Sequence, residues 1–224
     1  MKEHYFLDSF PLWLYYPSLI KWKIANRDSV DNEKKDYLVP TINASLITDL
    51  STFWEGIVFE MQTEIFFDRF EHRKDKFNNS LTDYFDKKLS KATWTNYIEY
   101  FDLLLGEKLS GKIENENWKA INMLLSFRNM LVHGKEIEIH YYEENGIVKS
   151  ESPYGHKSIF EFLKSKNLLD LSYSPHLNSV DMLNNKVVDF FHENVIDFIE
   201  SLFNLFPESE VGELRVNFND CLKY

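Results

Sequence analysis

Between residues 45 and 70, Leu46, Leu50, Phe53, Ile57, Met61 and Ile65 recur at three- and four-residue steps. That spacing lines one face of a long α-helix. A helix with such a face must lay it against other elements, so the chain has to build a packed core around it. Other segments repeat the pattern. Tyr97, Ile98, Phe101, Leu104 and Leu105 mark a helix over 94–109, with Gly106 and Gly111 punctuating its end. Residues 116–133 form a third, closed by Gly134, and the last long helix starts after Asn178-Ser179 and runs to Phe206, where Pro207 stops it. Shorter helices are expected at 81–91 and 158–169. Only 7 Gly and 6 Pro in 224 residues leave few tight turns, which favours helices over a sandwich or barrel. The exception is Ile137 to Tyr142, which alternates, followed by Asn145-Gly146 and Ile147-Val148, a hairpin with a two-residue turn. The predicted fold is all-α: an antiparallel helical bundle with a small β-hairpin inserted at about 136–149. One domain is expected over 1–224, with an irregular arm at 1–42, the bundle at 43–206 and a tail at 207–224.

Composition narrows the function classes. Hydrophobic residues make up 44% and aromatics 16%, the balance of a globular chain and the reverse of a disordered one. A net charge of −11 argues against a general nucleic-acid coat. The charge is uneven, however: 69–91 carries +3 and 107–135 carries +2, leaving −16 on the rest. A local RNA site is permitted, and ordinary solvated faces explain the pattern equally well. The single Cys221 and the lack of a zinc-type cysteine cluster point to a reducing cytoplasm. Neither a signal peptide nor a membrane span is expected. Lys2 is followed at once by Glu3, and the apolar stretch 10–20 is short and broken by Pro11 and Pro17. That stretch reads as an extended or short helical arm packed on the bundle.

One run carries the chemistry: Phe127-Arg128-Asn129-Met130-Leu131-Val132-His133-Gly134. Winding 118–133 at 100° per residue puts Ile121, Leu124, Arg128 and Val132 in one narrow arc. Asn122, Ser126, Asn129 and His133 form a second stripe, wholly polar. A charge in an apolar arc needs a partner or a task, because burying it unpaired costs several kcal/mol. Arginine clamps anions through paired N–H groups, and histidine titrates near neutral pH; together they suit phosphate esters.

Arg128-Asn129, then His133 and Gly134, near the end of a late helix, resembles the R-x(4–6)-H signature of HEPN domains. The resemblance covers roughly 43–206 in helix order and lengths, and its specific part is about eight residues. It implies an all-helical bundle acting as a metal-independent endoribonuclease in a bacterial toxin–antitoxin or anti-phage defence system. The residues implied are Arg128, Asn129 and His133, with RNA as substrate, no metal or other cofactor, and an antitoxin or another defence protein as a possible partner. Metal-free RNA cleavage needs a base for the 2′-hydroxyl, an acid for the leaving 5′-oxygen and a cation for the phosphate. Arg128 and His133, five apart, lie about 140° from each other around a helix. The family's solution is a homodimer whose paired motif helices make one composite cleft, and here it would bury Ile121, Leu124 and Val132.

Plainer roles stand beside these. Arg128 could pair with Glu60 or Glu64, at the margin of the first long helix's core face. His133 could simply cap its helix. The chain would then be a non-catalytic scaffold or partner-binding module or, less simply, a nucleotide-binding module without cleavage. The remaining histidines, His4, His72, His140, His156, His176 and His192, are scattered without metal-ligand spacing. No P-loop, dinucleotide turn, nucleophile elbow or H-E-x-x-H pair is present.

Overall fold

Helix α1 spans Tyr16–Asp28 and α2 spans Lys35–Phe70, so residues 11–42 of the segment expected as an irregular arm are largely helical. The computed structural model describes residues 11–70, 87–88, 93–134, 139–151, 157–169 and 181–223. A 3-10 turn, Leu12–Tyr15, leads straight into α1. Pro17 sits in the first turn of α1, where a missing N–H costs nothing. Trp13, Ile20 and Arg27 are buried and Ile24 packs behind them, so α1 has an inward face. Apolar residues on its other face hid that periodicity. Helix α2 begins ten residues before the expected 45 and carries Pro40 within its second turn. Proline there removes the bond to the Asp36 carbonyl, which lies in the exposed first turn of the helix.

Next come α3 (Trp94–Leu105), α4 (Asn115–Val132), β1 (His140–Glu144), β2 (Ile147–Glu151), α5 (Lys157–Ser165), α6 (Asn185–Phe203) and α7 (Glu208–Cys221). Thr93 and Asn96 close a reciprocal cap on α3, and Gly106 ends it at φ 72°. Asn184 caps α6 by accepting from the Val187 N–H. The expected 207–224 tail is a helix instead. Helix α6 ends at Phe203, short of the expected Phe206, and Pro207 precedes α7, whose first turn carries Glu208 and Glu210 and whose Val211, Leu214 and Phe218 are buried. Residues 87 and 88 are helical, while the rest of the helix expected at 81–91 lies outside the described residues. So do the Pro175 loop and Asn178-Ser179.

The hairpin pairs His140–Glu144 with Ile147–Glu151, Glu144 standing opposite Ile147, and the first residues of its expected range, 136–138, lie outside the described residues. Asn145 (φ 56°) and Gly146 (φ 77°) both take the left-handed conformation, as a tight primed turn requires. The Lys164 ammonium donates to the Ser150 carbonyl at 2.9 Å and ties the hairpin to α5.

One apolar core draws on each of the helices α1 to α7, with α2, α4 and α6 packed together at its centre. Trp54, Trp94, Trp118 and Phe198 form its aromatic hub, the Trp54 and Trp94 rings meeting edge to face at 4.5 Å. Among the described residues no helix is long and apolar enough to cross a membrane.

Candidate functional site

Helix α4 has two halves with different surroundings. In the first, the polar stripe is consumed by structure. Asn122 accepts from the Trp94 indole N–H at 2.9 Å and donates to the Trp118 carbonyl at 2.7 Å. Ser126 donates back to the Asn122 carbonyl. Ile121, Leu124, Phe127 and Met130 face the core, Phe127 meeting Phe191 of α6.

The second half rises to the surface. Arg128 is half-buried, Val132 is exposed, and the Asn129 and His133 side chains stand in solvent. The helix closes through backbone alone: the His133 N–H bonds the Asn129 carbonyl at 3.2 Å, and Gly134 follows at φ 60°. His133 is thus the cap residue, but its imidazole takes no part in capping.

Arg128 is held loosely. Its Nη2 lies 3.8 Å from Glu55 Oε2 of α2, and its Nη1 donates to Asn129 Oδ1 at 3.0 Å. Its Nε is enclosed without an acceptor. The acid beside it is Glu55, not Glu60 or Glu64, which correct the pairing expected from sequence. Burial raises the Glu55 carboxyl above its ordinary range, and the Arg128 charge only partly offsets that. Tyr97 of α3 completes the surroundings; burial, then the Glu55 charge, pushes its phenol up to about 12. Glu60 and Glu64 belong to another cluster. Burial, then the charges of Glu60 and Glu213, raises Glu64 to about 7.

Of the residues expected at the site, Arg128 and Asn129 are in side-chain contact, whereas among the described residues His133 meets Asn129 only through the backbone and its imidazole bonds neither of them. Ile121 and Leu124, expected in a dimer interface, are fully buried in the chain's own core, so of that set only Val132 is free to meet a partner. Sequence reasoning missed Glu55 and Tyr97. The signal for Glu55 was a second apolar line on α2, Ile47, Trp54 and Val58, each fully buried. A reading confined to the other face sought the arginine's partner at the wrong margin. His140 is exposed on β1, as expected, and His192 is partly buried on α6; His4, His72, His156 and His176 lie outside the described residues.

Among the described residues no group of three or more His, Cys, Asp or Glu is arranged to hold a metal ion. No protein-family model, curated protein or solved structure matches the chain.

Proposed function

We propose that the protein is a HEPN-like endoribonuclease, in which Arg128, Asn129 and His133 cleave RNA in a cleft shared by two copies. The observation that carries this reading is the unsaturated Arg128 guanidinium, oriented by Glu55 and Asn129 yet half-exposed, five residues before a solvated histidine. Its spare N–H groups suit a phosphate, which accepts two parallel hydrogen bonds. His133 of one protomer takes the 2′-hydroxyl proton, and the 2′-oxygen attacks the adjacent phosphorus. The phosphorus–5′-oxygen bond breaks, and the second protomer's histidine protonates the leaving oxygen. Arg128 stabilises the charge gathering on the phosphate. The balance closes with no metal, and the product carries a 2′,3′-cyclic phosphate. Two copies meet through Val132, Asn129 and His133 rather than through Ile121 and Leu124. Such a nuclease fits a toxin–antitoxin or defence setting, with an antitoxin as partner.

The Glu55 contact favours a second reading, a helical scaffold in which Arg128 serves only to join α2 to α4. One experiment separates the two. Purified protein is incubated with single-stranded RNA in chelator, product ends are mapped, and wild type is expressed beside His133→Ala while cell growth is followed. Cyclic-phosphate ends and growth arrest, both lost in the variant, are the expected result. RNA left intact by wild type under all conditions would sink the nuclease reading.

A further inference from the structure

The outward face of the first helical segment carries Leu12, Tyr15, Leu19 and Trp22 at 75%, 57%, 38% and 62% exposure. They are spaced three, four and three residues apart, the rhythm of a helix–helix seam. Asn26 continues the line and Ser18 and Ala25 flank it, all exposed. The two lysines of this stretch are engaged elsewhere. Lys21 donates to the Leu222 carbonyl at 2.6 Å, and Lys23 pairs with Asp49 at 2.5 Å. Among the described residues of the stretch, both ammonium groups are thus drawn away from the seam.

We infer that this face is a homotypic interface, in which the Leu12–Trp22 stretch of one chain packs antiparallel on that of a second copy. The sequence of the stripe selects the occupant. With a twofold axis midway between positions 15 and 19, Tyr15 of each chain meets Leu19 of the other, and Trp22 meets Leu12. Every contact then pairs one aromatic with one leucine, so the gap between helices is even along its length. A parallel pairing would set Trp22 against Trp22 and leucine against leucine, wide at one level and loose at the next. Area agrees: Tyr15 and Trp22, 57% and 62% exposed, each keep on the order of 100–150 Å² of the roughly 200 Å² an aromatic can bury, and with two leucines and the flanking turns on both chains a twofold pair buries on the order of 1,000 Å², at the lower end of specific interfaces. The seam lies on α1 and the 3-10 turn before it, apart from the α4 end proposed for the nuclease cleft, and it does not depend on that proposal. Two twofold interfaces on one chain build assemblies larger than a dimer.

The test is sedimentation of the full chain, wild type against Leu19→Glu/Trp22→Glu, over a wide concentration range. Both side chains already face solvent, so helicity and melting should hold. The assembled mass is expected to halve at matched concentration, with the apparent Kd of that step raised at least a hundredfold. Wild type that stays monomeric throughout, or a variant of unchanged mass, overturns the inference. Register is checked with Cys221→Ser protein by mixing Leu12→Cys and Trp22→Cys chains under mild oxidation. A mixed disulfide is expected, and its absence alongside a mass that still falls would overturn the antiparallel pairing. Wild-type protein that assembles through this face yet leaves RNA intact would count against the nuclease reading alone.

Discussion

Arg69 and Arg128 are equally exposed, at 30% and 31%, yet they are held in opposite ways. Arg69 grips Glu210 of α7 with two parallel bonds, at 2.9 and 2.8 Å, and gives a third to the Leu104 carbonyl at 2.6 Å. Its plane also lies 5.8 Å from the Phe206 ring. It joins α2, α3 and α7, with few donors left over. Arg128 has one loose carboxylate, a neighbouring amide and an enclosed Nε with no acceptor. Exposure alone therefore does not separate a fastening arginine from one kept open; saturation of its donors does. The fold can build a saturated arginine, and at the end of α4 it has not done so.

The largest expected effect tests whether that openness is used. Arg128→Ala and His133→Ala should each lower RNA cleavage by about a thousandfold, the usual loss for a phosphate-stabilising or proton-transferring group. Arg128→Lys should recover little, since an ammonium cannot form the two parallel bonds. Chelator should leave the wild-type rate unchanged in the same assay. Rates in the alanine variants equal to wild type would dissolve the contrast, leaving two structural arginines of unequal quality.

The second effect is on stability and falls on the other arginine. Arg69→Ala leaves Glu210, only 11% exposed, without its cation, and frees the Leu104 carbonyl as well. Removing one partner of such a pair costs about 3 kcal/mol. Chemical denaturation should show it as a lower midpoint with little change in slope. A loss under about 1 kcal/mol would mean that the bidentate geometry carries little of the stability expected of it.

How much of this was readable in advance follows from periodicity. The core face of α2, the bounds of α4 and the Asn145-Gly146 turn were legible because each depends on local spacing or one backbone conformation. The α1 helix was not, because Leu12, Tyr15, Leu19 and Trp22 on its outer face blur the inward set of Trp13, Ile20 and Ile24. Helix α7 was missed because Pro207 signals a stop and a start with the same residue. At the site, Arg128, Asn129 and His133 stood out as polar groups in an apolar run. Glu55 did not, because which face of α2 meets α4 is decided by three helices packing together.

The third effect asks what an uncompensated charge costs on this scaffold. Glu64 is raised from about 4.5 to about 7 by burial and by Glu60 and Glu213. The folded state therefore holds this proton more tightly than the unfolded chain does. The stability so gained is complete below pH 4.5 and is lost as pH rises through about 7. Glu64→Gln should flatten that window and stabilise the protein at pH 8 by about 1 kcal/mol, the shift being discounted because the group is partly solvated. Equal melting temperatures for wild type and variant at pH 8 would show the cluster to be relaxed by water.

The smallest effect is the most discriminating. Arg128→Ala should change unfolding free energy by less than about 1 kcal/mol, because a 3.8 Å pair between side chains 31% and 33% exposed is weak. Glu55, left behind, already carries a raised carboxyl and is open enough to hydrate or bind a proton. The buried Nε also disappears with the side chain, which removes a desolvation cost and offsets part of the lost pairing. Glu55→Gln, keeping the shape and an acceptor, should be milder still. Thermal melts of both variants beside Arg69→Ala would decide the matter. A loss for Arg128→Ala as large as for Arg69→Ala would make Arg128 a fastener between α2 and α4, and the scaffold reading would then displace the nuclease one.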